Sequence, residues 1–199
     1  MKNLLAFTIL LLCLSVSVQS QETKPQLLPG PANWEFERFA LPPAFAPDIT
    51  YKGAEELRFS PGMFKKDSAT YFTYAFVAQL DSITAVSQKD VRNYLLSYFK
   101  GLCDAVAKDR KLVIDTSKVT AIVEKKKNTA ASEIIYNASL GIFGVFTDGA
   151  PVKLNMEVKV LTNKKAKKTY LVVITSPRDK TDAAWKKLYE IQKAFVMPA

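Results

Sequence analysis

The 199-residue chain contains no histidine. Ser-His-Asp and Cys-His catalysis both take the imidazole as base, and most zinc sites take it as ligand. Composition therefore excludes both catalytic arrangements and any His-ligated zinc site. Paired carboxylates are the remaining acid–base candidates. Glu55 and Glu56 are adjacent, so on a strand they point to opposite faces and cannot flank one substrate bond. Glu35 and Glu37 share a face, but acids on an edge strand are usually solvated. No Gly-rich phosphate loop, Gly-x-Ser-x-Gly elbow or metal-ligand cluster is present. The expectation is a non-enzymatic chain with no cofactor and no metal, with a carboxylate-based hydrolase as the third-ranked reading.

Two lysine clusters are the next candidates. Lys125, Lys126 and Lys127 fall at one predicted hairpin tip, and Lys164, Lys165, Lys167 and Lys168 at another. Alternate turns of an up-and-down meander lie at the same end of the sheet, about 10 Å apart. Their fields would add over that distance, since it is close to a Debye length at physiological salt. The expected partner is an anionic envelope surface, or a protein, before nucleic acid. Two solvated turns would carry the same lysines, which also discourage edge pairing. The aromatic residues Tyr71, Tyr74, Phe143 and Phe146 form a candidate apolar pocket, though buried strands are commonly aromatic.

The bulk composition places this chemistry outside the cytosol. Lys2 followed by the apolar run Leu4 to Val18, ending at Val18-Gln19-Ser20, has the pattern of a cleavable signal peptide over residues 1–20. The run is shorter than the roughly 20 residues needed to span a bilayer, and no later stretch suffices. Cys13 lies in this run and is preceded by Leu12, which excludes a lipoprotein signal. Loss of residues 1–20 would leave Cys103 alone, so no intramolecular disulfide is expected. It would also remove Lys2 only, leaving 27 basic against 19 acidic residues, a charge of +8. Such a balance favours anionic partners.

The elements that must position these groups follow from periodicity. Residues 21–33 carry three prolines and one glycine and are predicted as a flexible linker, with one α+β domain over 34–199. Trp34–Glu37 alternates, Ala54–Ser60 is a short strand, and Ser60-Pro61-Gly62 is a turn. Thr70–Leu80 is apolar on both faces, the mark of a strand covered twice. Ser87 and Asp90 form a capping box for a helix whose stripe is Val91, Leu95, Tyr98, Leu102 and Val106. Cys103 flanks that stripe as a small core residue. Four strands follow: Lys118–Lys125, Ser132 to about Thr147, Val152–Leu161 and Thr169–Thr175. Asp148-Gly149 turns the second into the third. In the third strand Val152, Leu154, Met156, Val158 and Val160 face the core, while Lys153, Asn155, Glu157 and Lys159 face water. A last helix, capped by Thr181 or Asp179, carries Trp185, Leu188, Tyr189, Ile191 and Phe195. The order predicts an antiparallel sheet of about six or seven strands with two main helices, one after the second or third strand and one at the C terminus.

The stretch Trp34-Glu35-Phe36-Glu37-Arg38-Phe39-Ala40-Leu41-Pro42-Pro43-Ala44-Phe45-Ala46-Pro47 resembles the start of a family of exported bacterial proteins. So does Tyr51-Lys52-Gly53-Ala54-Glu55-Glu56-Leu57-Arg58-Phe59-Ser60-Pro61-Gly62-Met63-Phe64. That resemblance brings no activity and no site. The element order is similar to the PsbP-like α/β/α sandwich, whose members are mostly accessory or binding proteins. The leading expectation is an exported binding or accessory domain, periplasmic or extracellular, that engages an anionic surface. The alternative is a carrier of a small apolar ligand between sheet and helices.

Overall fold

The computed structural model describes residues 26–127 and 134–198. The signal-peptide reading, the first five residues of the predicted linker and the tip beyond Lys127 lie outside the described residues. Seven strands form one antiparallel sheet. They are β1 (Glu35–Leu41), β2 (Gly53–Phe59), β3 (Tyr74–Asp81), β4 (Thr120–Lys125), β5 (Ile134–Phe143), β6 (Pro151–Asn163) and β7 (Lys168–Ser176). The spatial order is β1-β2-β3-β7-β6-β5-β4. The chain lays down β1 to β3, crosses through helix α1 (Gln88–Asp109) and a short 3-10 turn (Thr116–Lys118), and then fills the sheet inward from the far edge. Helix α2 (Ala183–Ala194) closes the chain. The expected α+β class with one antiparallel sheet and two helices is what forms.

The two helices cover opposite faces, as the alternation in β3 requires. Tyr74, Phe76, Ala78 and Leu80 share a core with Val91, Tyr94, Leu95, Tyr98 and Phe99 of α1. Ala75 and Val77 join Val172 and Ile174 of β7 beneath Trp185, Leu188 and Ile191 of α2. Each of those large α2 side chains contributes about 1.5–3 kcal/mol of gross transfer energy. Helix α1 starts where its capping box predicts: the Ser87 hydroxyl accepts from the Asp90 amide, and the Asp90 carboxylate accepts from the Ser87 amide. Helix α2 is instead capped by Asp182, while Asp179 accepts from the Thr181 amide in the preceding turn.

Four expectations are corrected. First, Thr70–Thr73 is not strand. Phe72 takes a positive φ of 48° and its amide donates to the Met63 carbonyl, so the segment is a turn and β3 begins at Tyr74. Second, β5 ends at Phe143, and the chain turns through Gly144–Gly149, with Gly149 at φ +73° in the expected turn. Third, the described part of the predicted linker is docked. Leu28 is fully buried in the α2-side core, and Glu56 accepts from the amides of Leu27 and Leu28 at 2.7 and 2.9 Å. Arg58 donates to the Leu28 carbonyl at 3.0 Å and to the side chain of Gln26. Fourth, the polar face of β6 is not wholly wet. Glu157 is buried because the segment leading to α2 crosses it, with Lys180 at 3.9 Å and Lys126 at 3.0 Å from its carboxylate.

Candidate functional site

A groove of about 260 Å³ opens between the β1–β2 edge of the sheet and α1. Period-two alternation puts Glu37 and Phe39 of β1, and Leu57 and Phe59 of β2, on the α1 side, and the register sets Glu37 opposite Leu57 and Phe59 opposite Tyr74. Tyr98 and Leu102, four residues apart on α1, form the facing wall. The loops complete it with Phe45, Met63, Phe64 and Phe146. Seven of these eleven residues are aromatic, and Glu37 is the single ionisable carboxylate among them.

The rings pack against one another rather than filling the space. Phe45 meets Tyr98 edge-on at 5.0 Å, and Phe64 meets Phe146 edge-on at 5.2 Å. Such pairs hold ring orientation beyond what area burial supplies. Phe64 is 43 % exposed at the rim. Gly101 fixes one wall: a Cβ there would lie 2.0 Å from the Phe45 carbonyl oxygen, so only glycine lets the Phe45 loop sit this close to α1. Beyond the rim, Lys66 pairs with Asp148, and Arg110 donates to the carbonyls of Phe146 and Thr147 at 2.7 and 3.1 Å.

The expected pocket residues divide. Tyr74 and Phe146 line the groove. Tyr71 is buried behind it, its hydroxyl 3.1 Å from that of Thr147. Phe143 packs on the α1-side core, and its carbonyl faces the buried Cys103 thiol at 3.9 Å. Burial pushes that thiol up, which suits an inert core cysteine. Sequence reasoning missed Glu37, Phe39, Phe45, Leu57, Phe59, Met63, Phe64, Tyr98 and Leu102 as pocket residues. The alternation Glu37-Arg38-Phe39 and the pair Met63-Phe64 after a Pro-Gly turn were the available signals.

The lysine clusters divide as well. The pairing of β4 with β5 and of β6 with β7 puts both connections at one end of the sheet. Lys125, Lys127, Lys164, Lys165 and Lys167 are exposed there. Lys126 instead turns back onto Glu157, and Lys168 lies 3.7 Å from Asp81. The end therefore presents five outward charges, not seven, because two lysines are engaged by acids on neighbouring strands.

The adjacent acids of β2 do separate to opposite faces. Glu55 lies fully buried beneath α1 and Glu56 fully buried on the α2 side, where Arg38 reaches it at 3.2 Å. The Tyr94 hydroxyl donates to Glu55 Oε2 at 2.6 Å, and Oε1 has no hydrogen-bond partner among the described residues. Burial pushes the Glu55 pKa up to about 8, against the opposing pull of the Tyr94 and Tyr98 hydroxyls; the Glu37 charge adds a smaller upward push. A second depression, about 370 Å³ and more open, lies between Asp48–Tyr51 and Asp90, Asn93, Tyr94 and Ser97. Its walls are mostly polar, and nothing in it converges on a ligand. Among the described residues no three His, Cys, Asp or Glu side chains are grouped to hold a metal ion, and no helix is long and apolar enough to cross a membrane. No protein-family model, curated protein or solved structure matches this chain.

Proposed function

We propose that this chain is an exported, non-enzymatic binding domain whose ligand is a small apolar molecule held in the groove between the β1–β2 edge and α1. One observation carries the reading: a space of about 260 Å³ walled by seven aromatic rings, with a single carboxylate at its mouth. Small-molecule sites are concave and mostly apolar, from about 300 Å³ upward, with few polar groups. This groove, at about 260 Å³, lies just below that range. Export is supported by Lys2, the apolar run Leu4 to Val18 and the small residue Ser20.

The test is titration of the full mature chain with N-phenyl-1-naphthylamine, a neutral fluorophore that brightens in apolar surroundings. The expected result is saturable brightening that is abolished in Leu102→Trp, which fills the groove from its half-buried α1 wall. Unchanged brightening in a folded Leu102→Trp variant would sink the assignment.

A second reading concerns the other end of the sheet. Lys125, Lys127, Lys164, Lys165 and Lys167 are exposed where the β4–β5 and β6–β7 connections meet, which favours contact with an anionic envelope or membrane surface.

A further inference from the structure

We infer that the ligand of the aromatic groove is an organic cation with an apolar body. The inference rests on the groove reading above and sharpens it to one class of molecule. A carboxylate beside apolar walls disfavours an anion by repulsion. It also gains nothing from a neutral hydrocarbon, whose approach strips water from the charge without replacing it. A cation reverses both effects. Aromatic faces carry negative potential, and a cation within about 6 Å of a ring centroid is attracted to it. Here Phe39, Phe59, Tyr74 and Tyr98 stand around one cavity with Glu37 among them.

The surrounding charges are arranged in the same sense. The groove walls hold no lysine and no arginine. Glu35 lies two residues before Glu37 on the same face of β1 and is exposed. Arg38 and Arg58 leave the sheet on the opposite face, where Arg38 pairs with Glu56 and Arg58 lies 4.5 Å from the centre of the Phe36 ring. Among the described residues no lysine or arginine forms an ion pair with Glu37. In a chain of formal charge +9 the groove lining thus carries one acid and no base, and the two cations beyond its rim are engaged, Lys66 by Asp148 and Arg110 by the carbonyls of Phe146 and Thr147.

Two probes of equal shape separate charge from apolar fit: phenyltrimethylammonium and tert-butylbenzene. Each is titrated into full-length mature protein preloaded with N-phenyl-1-naphthylamine. The cation is expected to displace the fluorophore at about tenfold lower concentration than its neutral isostere, the size of gain that ring faces and a nearby carboxylate give. Glu37→Gln, on an exposed edge position, should bring the two probes to within about twofold of each other, each referred to that variant's own fluorophore affinity. Equal displacement in the unmodified protein, or a preference that Glu37→Gln does not reduce, overturns the cation assignment and leaves the apolar groove standing. Absence of fluorophore binding in the unmodified protein removes both.

Discussion

Replacing Glu55 by glutamine should convert a pH-dependent fold into one whose stability is nearly level between pH 5 and 8. Glu55 sits on β2 between Phe39 of β1 and Ala78 of β3, fully buried under α1. Its pKa is pushed from 4.5 to about 8, first by desolvation, with the Tyr94 and Tyr98 hydroxyls opposing. The folded protein therefore keeps the proton across a range in which the unfolded chain has released it. Protons bound by the folded state exceed those bound by the unfolded state between about pH 4.5 and 8. Stability contributed by this group is thus present at low pH and falls as pH rises through that window, levelling above it. At about 1.4 kcal/mol per pKa unit, the span from 4.5 to about 8 sets a ceiling on the order of 5 kcal/mol. Relaxation and water entry reduce it, so a fall of about 2–5 kcal/mol is expected.

Urea unfolding of wild type and Glu55→Gln at intervals from about pH 5 to pH 9 measures the effect. Glutamine keeps the shape and an acceptor for the Tyr94 hydroxyl but does not titrate. Near pH 5 the two proteins should be similar, or the variant weaker by about 1 kcal/mol for its buried amide. Near pH 9 the variant should be the more stable by about 2–4 kcal/mol. Exposed acids with lowered pKa, such as Asp90 and Asp148, act at lower pH and cancel in the difference. A difference between the two proteins that stays constant across the window would refute the reasoning.

Glu56→Ala should release the segment 26–33 and cost about 3–5 kcal/mol, because it orphans two backbone donors and removes the fully buried carboxylate that Arg38 reaches. Urea unfolding and new protease cleavage within 26–33 check it, and a loss under about 1 kcal/mol would show that the clip does not hold the segment. Changing Lys125, Lys127, Lys164, Lys165 and Lys167 to glutamine should remove most salt-sensitive pelleting with anionic vesicles, at up to about 1 kcal/mol per charge. Equal pelleting by that variant would dismiss the anionic-surface reading.

Local signals in the sequence located the regular elements well. Ser87 and Asp90 marked the start of α1 because a capping box is complete within four residues. Tyr74 to Leu80 was legible as a doubly covered strand because both faces are apolar. What escaped depended on partners far along the chain. Thr70–Thr73 has strand composition, yet the Phe72 amide is claimed by the Met63 carbonyl. Leu28 looked like linker because its holding group, Glu56, is 28 residues away. Lys126 and Lys168 looked solvent-bound because Glu157 and Asp81 come from other strands. The groove draws on β1, β2, β3, α1 and three loops, so no periodicity could assemble it, and only Tyr74 and Phe146 were anticipated.

The groove's position follows from how the fold protects its edges. At β4, α1 supplies side chains to the open carbonyls: Gln88 donates to Val123 at 2.9 Å and Arg92 to Ala121 at 3.0 Å. An edge so covered cannot template another strand. Holding α1 against β4 leaves the opposite margin, β1 and β2, to be roofed by loops, and the aromatic groove is the space they do not fill. The strand directions then separate this groove from the lysines. Tyr74 lines the groove at one end of β3, and Asp81 meets Lys168 at the other, roughly 24 Å apart at the rise of a strand. Glu37 is level with Leu57 and Phe76, roughly 17 Å along the strands from Asp81, which is about two Debye lengths at physiological salt, so the basic end is largely screened from it. The net positive charge therefore does not argue against a cationic ligand, and the two ends of the sheet can be tested as independent sites.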